Sequence, residues 1–421
     1  MKKIIKNDFI FLLLIFIGFI LIRSFHFVDF LNWSQDQAES GIAALDIWRN
    51  KKLTLIGPQI SASFEGRLLF QGPITYYLFL IFLLLGNWDP VKASFFFMIF
   101  AAILIFPLFY GLKRLANKKV AFLIVLIYSF LPYYINYTRF LWNSTLQLTF
   151  SIFFIYFFAC YKKNKSLKDF FLSSLLLGIL LQFHYQFFLV VLIFFIYFIY
   201  ILIFKKISLK YLFTFILGIF IGFSPIIIFE LKHQFYNTKT AILFLENWSN
   251  VDKPGNFTMP HYYLTLSFLF LIFIINKFKK LINKIKWKVV VMLGIFLFFI
   301  ALFKNIKKPN QSYWAPAKGW KYSMEEKAYK IIKEKSIKNN FNVADLSYYN
   351  TKAAVIKYFL KRDGFLINFD DYYKNRYLYV ISKNEEYQNA LSYEVAFFKP
   401  RKLIKRWYLE NNFYLYLFER I

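Results

Sequence analysis

Long apolar runs recur through the first three quarters of the chain. The longer ones, of about 18 residues or more, can each cross roughly 30 Å of hydrocarbon. The first covers about Phe9 to Phe27. Others fall near 91–112, 120–136, 144–161, 169–185, 187–204, 211–230, 262–276 and 289–304. One run is different: Ile74–Leu85 holds about a dozen apolar residues, too few to span, and predicts an interfacial or re-entrant helix. After residue 304 the pattern changes. NVADLS, RYLYVIS and FYLYLFER read as short strands, and Thr351 to Arg362 as an amphipathic helix.

The polar breaks between the runs are strongly basic, and they supply a topology. Lys2, Lys3 and Lys6 precede the first run, which holds the N-terminus in the cytoplasm. If Ile74–Leu85 does not cross, four basic clusters fall on that same face. They are Lys113 to Lys119, the loop Tyr161 to Lys168, Lys205 to Lys210, and Lys277 to Lys288. The reading is therefore about nine spans with the C-terminus extracytoplasmic. Residues 1–304 form the membrane domain with a first outer loop over 28–90, and 305–421 form a small extracytoplasmic mixed α/β domain.

Composition agrees with this reading. Of 421 residues, 59% are hydrophobic and mean hydropathy is +0.45, which places the chain among membrane proteins. The net charge of +30 would point to nucleic acid in a soluble protein. Here much of it sits in short loops, and no nucleic-acid partner is expected. The single cysteine, Cys160, lies inside an apolar run, so no disulfide framework is available.

The long polar interruption Asn32 to Pro73 carries the candidate chemistry. Ser34 followed by Gln37 matches a capping box, so a helix begins near Gln35. At helical spacing Asp36, Glu39, Ala43, Asp46 and Asn50 share one face, while Ala38, Gly41, Ile42, Leu45 and Trp48 look elsewhere. That pattern fits an amphipathic helix lying on the membrane with solvated carboxylates. It equally fits a base, because Asp36 stands near the helix's positive end, with Glu39 as its neighbour or as a metal ligand.

Other outer-face loops supply complementary groups. Arg139 is an isolated cation among aromatics in YYINYTRFLW, suited to snorkelling or to gripping a phosphate. His184 in QFHYQ, Lys232 and His233 in ELKHQF, and Arg67 are further candidates. One base and several cations on one membrane face suit a reaction on a lipid-linked phosphate donor.

At these residues the chain resembles the polytopic GT-C glycosyltransferases, near the protein O-mannosyltransferases and the lipid A aminoarabinose transferase (glycosyltransferase family 39-like). The resemblance rests on NWSQDQ in the first outer loop, QGPITYYLF after it, the Arg139 loop and LKHQF. It implies an α-helical integral membrane protein of the GT-C fold that uses a polyprenyl-phosphate sugar donor. The acceptor would be a glycan, a lipid or a protein. It further implies that Asp36 deprotonates the acceptor, with inversion at the anomeric carbon. Arg139, Lys232 or His233 would neutralise the departing phosphate. Many relatives carry a second acid soon after that arginine; here Trp142-Asn143 stands there. A divalent metal is therefore an open element of the reading, with Glu39 or Asp46 able to compensate. The rival reading is a transporter or flippase for a polyprenyl-linked glycan. It would be expected to place ionisable groups at mid-bilayer and to show repeated halves, and the spans contain essentially neither.

Overall fold

The computed structural model describes residues 2–205, 208–249, 260–335, 340–367 and 372–421. Lys206 of the third basic cluster and residues 250–259 of the outer loop expected over 231–260 lie outside the described residues.

In chain order the elements run α1 (Lys2–Ser24), α2 (Phe27–Phe30), α3 (Gln35–Asn50), β1 (Gln59–Phe64), β2 (Arg67–Phe70), α4 (Ile74–Leu85), α5 (Pro90–Ile103) and α6 (Ile105–Leu115). There follow α7 (Lys118–Phe130), α8 (Pro132–Tyr137), α9 (Asn143–Asn164), α10 (Leu167–Phe183), α11 (Phe188–Lys205), α12 (Leu209–Gly222), α13 (Ser224–Lys232) and α14 (Tyr236–Glu246). The remainder are α15 (Leu264–Lys277), α16 (Lys279–Lys284), α17 (Trp287–Ile306), α18 (Tyr322–Lys335), β3 (Phe341–Asp345), α19 (Ala354–Arg362), β4 (Tyr377–Lys383), α20 (Tyr393–Ala396), β5 (Arg401–Tyr408) and β6 (Phe413–Arg420).

Contacts divide the chain into two compact units. A helical unit holds Met1–Arg23, Lys52–Ile81 and Phe97–Lys304; a mixed unit holds Ser24–Lys51, Phe82–Phe96 and Asn305–Ile421. The sequence reading has a single division at residue 304. Contacts instead group α3, together with part of the first outer loop, with the C-terminal residues.

In the helical unit, each expected apolar run forms helix. Among the described residues, Pro90–Leu115, Asn143–Asn164 and Trp287–Ile306 are long and apolar enough to cross a membrane. Several other runs are shorter or interrupted, and proline chemistry explains where. Pro107 has no N–H to offer Ile103, and α5 gives way to α6 at Leu104. Leu131, before Pro132, is extended (φ −71°, ψ 126°), so the run expected over 120–136 becomes α7 and α8. Pro225 follows Gly222 and Phe223, and α12 and α13 meet at 69° rather than forming the straight span expected over 211–230. The short α4 covers Ile74–Leu85, the run too short to cross.

The mixed unit contains a four-stranded sheet in the order β3-β4-β6-β5. Strands β3 and β4 are parallel and joined through α19; the other pairings are antiparallel. Leu378, Val380, Tyr416 and Phe418 of the sheet pack with Val395 and Phe398 into its core. Strand β5 is the exposed edge, and its Arg401, Lys402, Lys405 and Arg406 discourage further strand pairing.

Candidate active site

Helix α3 starts where the sequence places it. The Ser34 amide and hydroxyl both donate to Gln37 Oε1, at 3.1 and 2.7 Å. This sets Asp36 in the first turn, exposed and at the positive end of the helix dipole. Glu39 lies one turn on and accepts from Gln35 Nε2 at 2.9 Å. Crowding of its carboxylate raises the Glu39 pKa. The Gln35 hydrogen bond lowers it, the Asp36 charge raises it, and Lys352 lowers it.

The opposite face of α3 is covered within the same unit. Ala38, Gly41, Ala44 and Leu45 are buried, and that face of α3 packs on α19. The physical cause is aromatic: Trp33 and Tyr358 stack with ring centroids 5.4 Å apart, and Gly41 sits against both. The far end of α3 is tied down as well. Arg49 donates to the Lys361 and Arg362 carbonyls at 2.7 and 2.8 Å, capping the C-terminus of α19. Asp46 pairs with Lys361 at 2.7 Å. Asp46 thus has an ion-pairing, structural setting, whereas Asp36 and Glu39 stand on the accessible side.

Residues near Asp36 that the sequence reading missed come from the C-terminal segment. The buried Tyr348 phenol lies within electrostatic reach of Asp36. Behind it, Glu325 and Asp345 form a buried carboxyl pair. Asp345 Oδ1 accepts from the Ser347 amide and hydroxyl at 2.8 and 2.6 Å, while Glu325 Oε1 accepts from Trp320 Nε1 at 3.1 Å. Asp345 is the better solvated by donors, so Glu325 takes the shared proton, and burial holds its pKa well above the usual carboxylate range. No sequence signal links Glu325 of α18 to Asp345 of β3, because only the fold brings them together.

In the helical unit, several loops expected on the outer face meet at one end through hydrogen bonds. Asn143 Nδ2 donates to Gln71 Oε1 at 2.9 Å, and Gln147 Nε2 reaches the Leu180 and His184 carbonyls. Asn237 exchanges bonds with the Phe70 backbone at 3.1 and 3.0 Å, and the Tyr185 phenol donates to the same carbonyl. Glu230 accepts from the Asn237 and Thr238 amides, both at 2.9 Å, which anchors the start of α14. The stretch expected as loop between Pro58 and Gly72 is a β-hairpin, with Glu65 and Gly66 in a two-residue turn at positive φ.

The candidate cations differ sharply in setting. Arg67, Lys232 and His233 are exposed. Arg139 is fully buried, neither snorkelling nor open to a surface anion. Its guanidinium donates to the Ile22 and Arg23 carbonyls at 3.1 and 3.3 Å, capping α1. His184 is half-buried; its Nδ1 accepts from the Gln186 amide, and its ring lies 5.4 Å from that of Tyr262. His261, absent from the sequence reading, packs at 4.2 Å on Trp142, beside Asn143. The HYY preceding α15 was its signal.

Among the described residues, no group of three or more His, Cys, Asp or Glu is arranged around a common metal position. Asn143 meets an amide partner in Gln71.

Residues 71–229 match the family model of the dolichyl-phosphate-mannose-protein mannosyltransferases. The match supports a GT-C-type glycosyltransferase family for this chain, as the resemblance in its outer loops implied. With the apolar helices, the match supports a multi-pass membrane glycosyltransferase of the mannosyltransferase type. The matched stretch includes Arg139, Asn143 and His184 and stops just before Glu230; Asp36 and Arg67 precede it. No curated protein and no solved structure matches the chain.

Proposed function

We propose that this protein transfers a sugar from a polyprenyl-phosphate carrier to an acceptor on the extracytoplasmic face of the membrane. The family match over residues 71–229 carries the reading. It does not favour a flippase. In this mechanism the Asp36 carboxylate takes the proton of an acceptor hydroxyl or amine. The freed lone pair attacks the anomeric carbon, and the bond from that carbon to the phosphate oxygen breaks, inverting the centre. The polyprenyl phosphate leaves with the bonding electrons, and Asp36 later gives its proton to water.

Two physical points support these roles. Asp36 is exposed in the first turn of a capped helix, and a positioned base is worth about 10²–10⁴ in rate. Lys232 and Arg67 are exposed cations, and His233 an exposed imidazole, in the unit that carries the family match; each is suited to binding a phosphate. Arg139 we assign to positioning α1. Asp36 and Glu39 would be the residues to hold a metal, and no step requires one. The acceptor is a glycan, a lipid or a protein.

Membranes containing the chain, supplied with a labelled polyprenyl-phosphate sugar, should release the label into an acceptor fraction. Membranes without the chain should not. Equal labelling in both, with the protein folded, would overturn the reading.

A further inference from the structure

At the end of the helical unit opposite in sequence logic to the outer loops, α6 and α9 pack closely. Gly111 makes this possible, since a Cβ there would come within 3.0 Å of Tyr156 Cα. Helix α6 then presents Tyr110, Lys113 and Arg114 at positions i, i+3 and i+4, on one face. With Lys163 from the last turn of α9 they line a cleft of about 430 Å³.

The charges around the cleft do not cancel. Lys113 and Lys118 both pair with the buried Asp8, Lys113 at 2.8 Å. Arg114 donates to Cys160 Sγ at 3.1 Å, its guanidinium lies 5.2 Å from the Tyr156 ring centre, and Asp169 is within electrostatic reach. Lys162 is turned away to the Tyr197 hydroxyl at 2.6 Å. Lys163 has no partner among the described residues and is exposed. Lys113, Arg114, Lys118 and Lys163 thus outnumber Asp8 and Asp169. A tyrosine beside a net excess of two positive charges, in a cleft between apolar helices, suits a phosphate held at the membrane boundary.

We propose that the cleft lined by Tyr110, Lys113, Arg114 and Lys163 binds the phosphate of an anionic phospholipid headgroup on the cytoplasmic leaflet. The leaflet follows from the topology read from the basic loops, and the binding chemistry does not depend on it. The site is separate from the residues proposed for transfer.

The test uses the full chain in neutral detergent, with phosphatidylglycerol, phosphatidylcholine or inorganic phosphate added separately. Retained lipid is read by native mass spectrometry and the thermal midpoint is followed in parallel. Phosphatidylglycerol should be retained over phosphatidylcholine and raise the midpoint. In the Arg114→Gln/Lys163→Gln variant that preference should fall roughly tenfold or more. Lys163→Gln alone, at an exposed position without a partner, should lower it while leaving the fold intact. A midpoint rise with inorganic phosphate that the variants abolish would support the same anion site filled from solution. Equal retention of the two lipids, or a preference unchanged in both variants, would overturn the proposal. A reporter fused after Asn117 fixes the leaflet separately: a cytoplasmic reading supports the assignment, and an external one overturns it.

Discussion

The two units treat polar and apolar side chains in opposite ways. In the helical unit large apolar groups point outward: Ile193 is 64% exposed and Phe213 69%. Its arginines Arg23 and Arg139 are fully buried, with their donors on backbone carbonyls and on Thr138. In the mixed unit Val343, Leu378 and Val380 are inside, while β5 turns Lys402, Lys405 and Arg406 outward. The difference identifies the surroundings of each. One surface is built for hydrocarbon, where polar groups must find partners within the protein; the other is built for water. It also separates two kinds of candidate residue. A charge already directed at backbone carbonyls is architecture, and a charge on the exposed side of a capped helix, like that of Asp36, can be reached from solvent.

Replacing Arg139 tests that separation most strongly. Arg139→Leu removes charged donors from the last carbonyls of α1 and should cost about 3 kcal/mol or more. Thermal unfolding in detergent should show a clear loss, and Arg67→Leu should show none. An Arg139 variant of normal stability that had lost transfer would make it a phosphate ligand after all.

Gly41→Val probes the seam that fixes α3 within the mixed unit. A Cβ at this position would lie 2.9 Å from Tyr358 Cε2 and 3.0 Å from Trp33 Cζ2, so the overpacking should cost about 1–3 kcal/mol. The unfolding midpoint of the mixed unit, followed by tryptophan fluorescence, should fall. An unchanged midpoint would mean that α3 does not depend on α19.

A smaller, pH-dependent effect belongs to the buried acid pair. Folding raises the pKa of Glu325, so its contribution to stability is full below the unfolded value of about 4.3 and is lost as pH rises through the folded value. The midpoint of the wild-type protein should therefore drop with rising pH over that window. Glu325→Gln, which mimics the protonated form, should flatten the slope. An identical slope in both proteins would place the proton elsewhere.

Much of the helical unit was legible because apolar length and basic loops are written directly in the chain. The bends were legible only in part, since Pro107, Pro132 and Pro225 announce a break without its angle. In the mixed unit, FYLYLFER alternates and became β6, whereas RKLIKRWY, the exposed edge, gave no inward face to read. The candidate site divides the same way. The capping box located Asp36, a local feature. The burial of Arg139, the pairing of Asp46 with Lys361, and the Glu325–Asp345 pair all depend on partners distant in sequence.

The most direct test is Asp36→Asn in membranes supplied with a labelled polyprenyl-phosphate sugar, with folding checked by the thermal midpoint. Loss of a general base predicts transfer reduced by about 10²–10⁴ at an unchanged midpoint. Wild-type transfer by the folded variant would contradict the assignment of Asp36.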